Sequence, residues 1–136
     1  MTKKSNGVSN EDVSEFEALV AQMTSVYDEM EKLASKKPND AINKFKLGIV
    51  NQLLRRTNRL ITPVKPLEGF EFFSEEELPS NSDVQLVLSQ YLSAMEKFRT
   101  DNVVQGYDGR WYWVVDGKQS DIETTRPEKL FRDRKA

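Results

Sequence analysis

Lys44, Arg55 and Arg59 recur on one face of a helix-patterned segment, together with Asn51, Gln52 and Asn58. Lysine and arginine neutralise phosphates, while asparagine and glutamine can bond base edges or sugar hydroxyls, so this mixture is a candidate polyanion surface. Arg56 belongs to a different face of the same segment, among Ile49, Leu53 and Leu60. A guanidinium on an apolar strip needs a carboxylate or carbonyl partner, or a route to solvent along its aliphatic stem. The expected partner is Glu15, on the preceding helix; the alternative is a small anionic ligand or an enzymatic pocket around Arg56. A third candidate lies near the C-terminus, where Trp111, Tyr112 and Trp113 follow Arg110. Aromatic rows on a sheet can stack bases, sugars or proline-rich peptides. Alternation puts Trp111 and Trp113 on one face, expected to pack against helices, and leaves Tyr112, opposite Gln105, as the aromatic expected in solvent.

The chain has no histidine and no cysteine. The commonest general base, the commonest transition-metal ligand and the thiol nucleophile are therefore missing. Gly-rich phosphate cradles, a Gly-x-Ser-x-Gly elbow and paired Glu-x-x-Glu motifs do not occur. The run Glu75-Glu76-Glu77 lacks the alternating ligands and turn glycine of a calcium loop and reads as solvated charge. No catalytic residue, metal ligand or cofactor is predicted.

These side chains must be positioned by a single domain, because 136 residues suffice for one core. A first helix is expected over residues 9–35, where Ser9 and Asp12 approximate a capping box and Phe16, Leu19, Val20, Met23, Val26, Tyr27, Met30 and Leu33 form one apolar stripe. Pro38 interrupts the pattern. A second helix is expected over 39–61, with one strip of Ile42, Phe45, Ile49, Leu53 and Leu60 and another of Leu47, Val50, Leu54 and Ile61, both apolar and both expected to be buried.

Charge divides between these two segments. Residues 1–35 carry three basic and seven acidic side chains, and residues 36–66 carry eight basic and one acidic. Facing helices of opposite sign attract, so the pair is expected to close as an antiparallel hairpin whose charges pair along its length, with Arg56 one helical turn from Glu15.

Residues 62–82, with Pro63, Pro66 and Pro79, read as an extended connection whose phenylalanines Phe70, Phe72 and Phe73 are pinned to the core. A third helix over 83–100 follows, capped by Ser82 with Gln85. The period then changes to two. Residues 103–125 read as a β-meander whose turns are Asp108-Gly109, expected as a type I′ turn, and Asp116-Gly117. The two-residue turn sets Val104 opposite Trp113 and Gln105 opposite Tyr112, and the third strand brings Ile122 beside Trp111. Residues 1–9 and 126–136 are read as tails, the first disordered and the second anchored through Leu130 and Phe131.

The predicted class is α+β: an N-terminal antiparallel helical hairpin plus a third helix, packed on a small C-terminal antiparallel meander of two or three strands. Residues 1–10 are polar and the apolar runs are short, so neither a signal peptide nor a membrane span is expected, and the expected location is cytoplasmic. A net charge of −2 gives no global attraction to polyanions, so any such binding must be local. The expected function is a non-enzymatic interaction or regulatory domain with a protein partner or a second copy of itself, because a helix over 9–35 with one stripe is longer than a small domain needs. Its partner surface is expected on the far half of the first helix and the exposed parts of the second. The alternative is nucleic-acid binding through Lys44, Arg55 and Arg59, helped by Arg110 and Tyr112.

Overall fold

A computed structural model of the chain describes residues 8–127. Three helices, α1 (Asn10–Lys36), α2 (Lys44–Leu60) and α3 (Asn81–Asp101), precede three strands, β1 (Val103–Gln105), β2 (Trp111–Val115) and β3 (Lys118–Thr124). The strands form one antiparallel sheet in the order β1-β2-β3, so the α+β architecture is as expected. No helix among the described residues is long and apolar enough to cross a membrane. The expected anchors Leu130 and Phe131 and the first seven residues lie outside the described residues.

Helix α1 starts where its capping box places it: the Ser9 hydroxyl accepts from the Asp12 amide at 3.1 Å, and the Asp12 carboxylate accepts from the Ser9 amide at 3.2 Å. Val8, just ahead of it, lies parallel to β2, its amide donating to Val114 at 3.2 Å and its carbonyl accepting from Asp116 at 3.0 Å. The stripe of α1 supplies Phe16, Leu19, Met23 and Met30 to the core, α2 supplies Leu47, Val50 and Leu54, and α3 supplies Val84, Leu88, Tyr91, Met95 and Phe98. Helices α1 and α2 form the predicted hairpin, but α1 packs more extensively on α3 than on α2.

The charge pattern does not close that hairpin. Among the described residues only Arg56 and Glu15 form an ion pair between α1 and α2, and Lys44, Lys46, Arg55 and Arg59 pair with no acid of α1. Apolar burial holds the rods together, which is expected where exposed ion pairs contribute little.

Helix α2 begins five residues later than the spacing suggests. Asn43 is its N-cap, its side chain accepting from the Lys46 amide at 3.1 Å. The residues before it are tied instead to the start of α3: the Ile42 amide donates to Pro79 at 2.8 Å, and the Asn81 amide donates to Asp40 at 2.9 Å. Ser80, not Ser82, caps α3, through the Asp83 amide. The connection is not wholly extended, since Thr62–Val64 makes a 3-10 turn. Of its phenylalanines, Phe70 and Phe73 pack edge to face at 5.1 Å against the core, while Phe72 stays exposed.

The sheet is covered on one face by the first half of α1 and the end of α3. Trp113 is fully buried there, with its ring centroid 5.1 Å from Phe16 and 6.4 Å from Phe98. Its indole N–H donates to Glu17 Oε2 at 2.9 Å, and the same oxygen accepts from the Thr124 hydroxyl at 2.9 Å. Arg99, buried beneath, donates to that threonine at 2.8 Å.

Both ladders depart from the expected registers. Asp108 does not take a positive φ; only Gly109 does, at +82°, and the Gly106 amide bonds the Arg110 carbonyl at 2.8 Å across a three-residue loop. The Asp108 carboxylate accepts from the Arg110 amide at 3.0 Å, which holds the aspartate right-handed and leaves the left-handed position to glycine. Val103 therefore faces Trp113, Val104 faces Tyr112 and Gln105 faces Trp111, one residue from the expected pairing. Asp116 and Gly117 do both take positive φ, at 52° and 83°, giving the two-residue turn expected of Asp-Gly. A bulge then moves the partner of Trp111 from Ile122 to Thr124, because the Ser120 hydroxyl takes the Trp113 carbonyl at 2.8 Å.

Candidate functional site

The chemistry-bearing side chains separate into four places. Lys44 is the first residue of α2 and exposed. Arg55 and Arg59 share its face, but a helical rise of about 1.5 Å per residue puts them about 16 and 22 Å further along the axis. Between them the polar face is not solvated as its composition suggests. Asn51 is buried, its amide donating to the Phe73 carbonyl and accepting from the Phe73 amide, both at 2.9 Å. Asn58, two turns on, donates to the Glu71 carbonyl at 2.9 Å and accepts from the Tyr91 hydroxyl at 2.6 Å. Burial pushes the Tyr91 hydroxyl above the usual phenol range, against the pull of that bond. The two asparagines clamp residues 71–73 to the helix, and Arg55 lies 4.2 Å above the ring of Phe72 in that same segment.

Arg59 shares a recess of about 370 Å³ with Arg55, Asn58, Thr62, Lys65 and Glu71. Lys65 is already in close contact with Glu71 there. Arg56 stands on the other side of α2, where it grips Glu15 with two bonds of 3.2 and 3.3 Å and reaches Gln22 at 3.3 Å. Its guanidinium is paired within the fold, as the spacing suggests, and it also lines a recess of about 270 Å³ with Gln22, Ile49 and Leu53.

Arg110 and Tyr112 belong to the far end of the molecule. Arg110 is exposed and 4.0 Å from Glu123. Tyr112 is half-buried rather than exposed, because its partner across the ladder is Val104 and its hydroxyl donates to Asp108 Oδ2 at 2.5 Å. That bond raises the tyrosine above its ordinary range and, with the Arg110 amide, holds the Asp108 carboxyl below its own. Trp111 is partly covered and Trp113 is core, so no aromatic row faces solvent.

Two concave surfaces with apolar linings remain: one of about 350 Å³ where Pro63, Val64 and Pro66 meet Ala94 of α3, and one between α1 and α2 that the residue types alone do not identify. Phe45 and Ile49, expected in the core, are 78% and 41% exposed, one helical turn apart on α2. With Val26 and Glu29 of α1 and Lys46 of α2 they line a groove of about 310 Å³ floored by Met30 and Val50. A second recess of about 270 Å³, sharing Ser25, Val26 and Ile49, continues it towards Arg56. The helical period explains the exposure: Leu47, Val50 and Leu54 turn α2 towards the core, and Phe45 lies on the opposite face.

Comparison with protein-family models, with curated proteins and with solved structures finds no match to this chain.

The short run 44–49 departs from what an isolated helix favours in two further ways. Lys44 and Lys46 place positive charge in a first turn that has no acid, against the helix dipole. Gly48 sits in the helix interior, where it costs about 1 kcal/mol relative to alanine. Nothing lies within 4 Å of where its Cβ would be, so the fold does not require a glycine there.

Proposed function

We propose that this protein is a non-enzymatic interaction module whose contact face is the groove between the far half of α1 and the first half of α2. The observation that carries this reading is Phe45, 78% exposed at the lip of an apolar groove beside Ile49. Single exposed apolar residues are ordinary, whereas two on consecutive turns beside a groove form a patch of the kind that binds protein. Departures from local preference concentrate at functional sites in sequences that otherwise agree with their folds. Here Phe45, Lys46 and Ile49 line the groove itself, while Lys44 and Gly48 fall in the same run of α2 on its neighbouring face.

A second reading, phosphate or nucleic-acid binding, is favoured by the recess of Arg55, Arg59 and Lys65. It stands second because Phe72 and Glu71 already engage two of the three cations.

The test is a photo-reactive side chain placed at Phe45 in the full chain and, as control, at the exposed Tyr107 on the first hairpin. Protein adducts in native cells are expected from position 45, absent from position 107 and lost when Ile49→Glu is added. Equal adducts from both positions would contradict the reading. So would a salt-sensitive oligonucleotide complex abolished by Arg59→Ala but indifferent to Ile49→Glu, which would put the second reading first.

A further inference from the structure

We propose that a polar recess in the sheet, away from the groove, binds a small free organic cation with an ammonium or guanidinium head group. The recess holds about 430 Å³ between the loop that joins β1 to β2 and the first half of β3. Its floor is Gly106. That residue does not take a positive φ, so the backbone conformation does not call for glycine. Space does: a Cβ there would come within 3.0 Å of the Tyr112 ring and 3.2 Å of both the Asp108 carboxylate and the Gln119 amide. Side chains from the loop, β2 and β3 thus meet over a position that only glycine leaves open.

Charge and hydrogen-bonding capacity select the ligand. The lining carries two carboxylates, Asp108 and Asp121, and no cation. Arg110 is 4.0 Å from Glu123 and does not line the recess, and Asp121 forms no ion pair among the described residues. The donors of the lining are largely used within the fold. The Tyr112 hydroxyl donates to Asp108 at 2.5 Å and the Ser120 hydroxyl to the Trp113 carbonyl at 2.8 Å, which leaves the Gln119 amide and the Tyr107 hydroxyl against the oxygens of two carboxylates. A matching ligand must bring donors and positive charge. Ammonium and guanidinium groups carry N–H donors and no acceptor, whereas an anion would be repelled and a sugar would bring acceptors that find few donors.

Aromatic rings complete the match. Tyr107, at the rim, is wholly exposed and covers nothing in the free protein. Phenol rings attract cations over their faces, and an exposed side chain turns fast enough to close on one. Of the exposed large apolar residues only Tyr107 borders the recess, so it suits a small molecule rather than a protein surface.

The experiment is amide NMR of the full chain, titrated in turn with putrescine and with methylguanidinium, the tighter of which names the head group. Uncharged butanediol and inorganic phosphate are titrated in parallel. Either cation is expected to move the signals of residues 106–108 and 119–121 saturably at millimolar concentration, and the diol and phosphate to leave them in place. Asp121→Asn should weaken binding by about tenfold, and Gly106→Ala by about tenfold because a methyl fills the floor. Tyr107→Ala should weaken it by about threefold, while Tyr107→Phe, which keeps the ring, should not. Ile49→Glu, in the groove, should leave it unchanged. The same spectra verify that each variant is folded, and Asp121→Asn remains informative if Gly106→Ala disturbs the hairpin. No saturable shift with either cation, equal shifts from the diol, or binding indifferent to Asp121→Asn overturns the proposal. So do shifts spread evenly over the acidic residues of α1, which would be charge attraction without a site.

Discussion

Asn51 satisfies both backbone groups of Phe73 with one side chain, and that double bond attaches a proline-rich connection to α2. Asn51→Ala would leave a partly buried N–H and C=O without partners. The expected loss of stability is about 1 to 3 kcal/mol in chemical denaturation, with faster hydrogen exchange over residues 71–75. Arg56→Ala should cost less, under about 1 kcal/mol, because the pair is about one-third exposed, at 29% and 39% for the two side chains. A larger loss from Arg56 than from Asn51 would reverse this ranking.

The Tyr112–Asp108 bond gives a residue-level pH dependence at the sheet. Asp108 is lowered first by the Tyr112 hydroxyl and then by the Arg110 amide. A carboxyl lower in the folded chain than in the unfolded one stabilises above the ordinary carboxylate range, and that contribution is lost as pH falls through the lowered value. Tyr112 is raised first by its bond to Asp108, so its contribution is present below the ordinary phenol range and lost as pH rises through the raised value. In a titration followed by carboxyl carbon NMR, Tyr112→Phe should move Asp108 up towards its ordinary range. An unmoved Asp108 would show that the bond does not form in solution.

At the scale of elements, what the sequence discloses depends on whether a residue's role is periodic. The stripes of α1 and α3 were readable because burial there repeats every three or four positions, and the capping box of α1 because its two bonds are local. Asp116-Gly117 was readable for the same reason. Asp108-Gly109 has the same dipeptide but a different turn, since the aspartate side chain is occupied by Arg110 and Tyr112 further along the chain. Asn51 and Asn58 look like solvated amides until the connection that covers them is in place. Phe45 failed in the opposite sense. Its strip is helical whether or not anything packs against it, and only the packing of α2 through Leu47, Val50 and Leu54 shows that Phe45 is left exposed. Of the named candidates, the pairing of Arg56 with Glu15 was legible, because a lone cation on an apolar strip has few solutions and Glu15 lay within reach.

Over the whole molecule, α1 does two jobs along its length. Its first half, through Phe16 and Glu17, secures Trp113 and the sheet, while its second half forms one wall of the groove with α2. The groove end carries the side chains that a solitary fold would not choose. The central claim is that residues 44–49 are kept at a cost to the isolated chain because something docks on them. The measurement that tests it most directly is thermal unfolding of Lys44→Glu/Gly48→Ala at concentrations dilute enough for the chain to be monomeric. Replacing a lysine by a carboxylate at the helix N-terminus and a glycine by alanine in its interior should add about 1 to 2 kcal/mol. The midpoint should therefore rise by a few degrees. A midpoint at or below that of the wild type would mean that these residues serve the fold itself, and would contradict the claim.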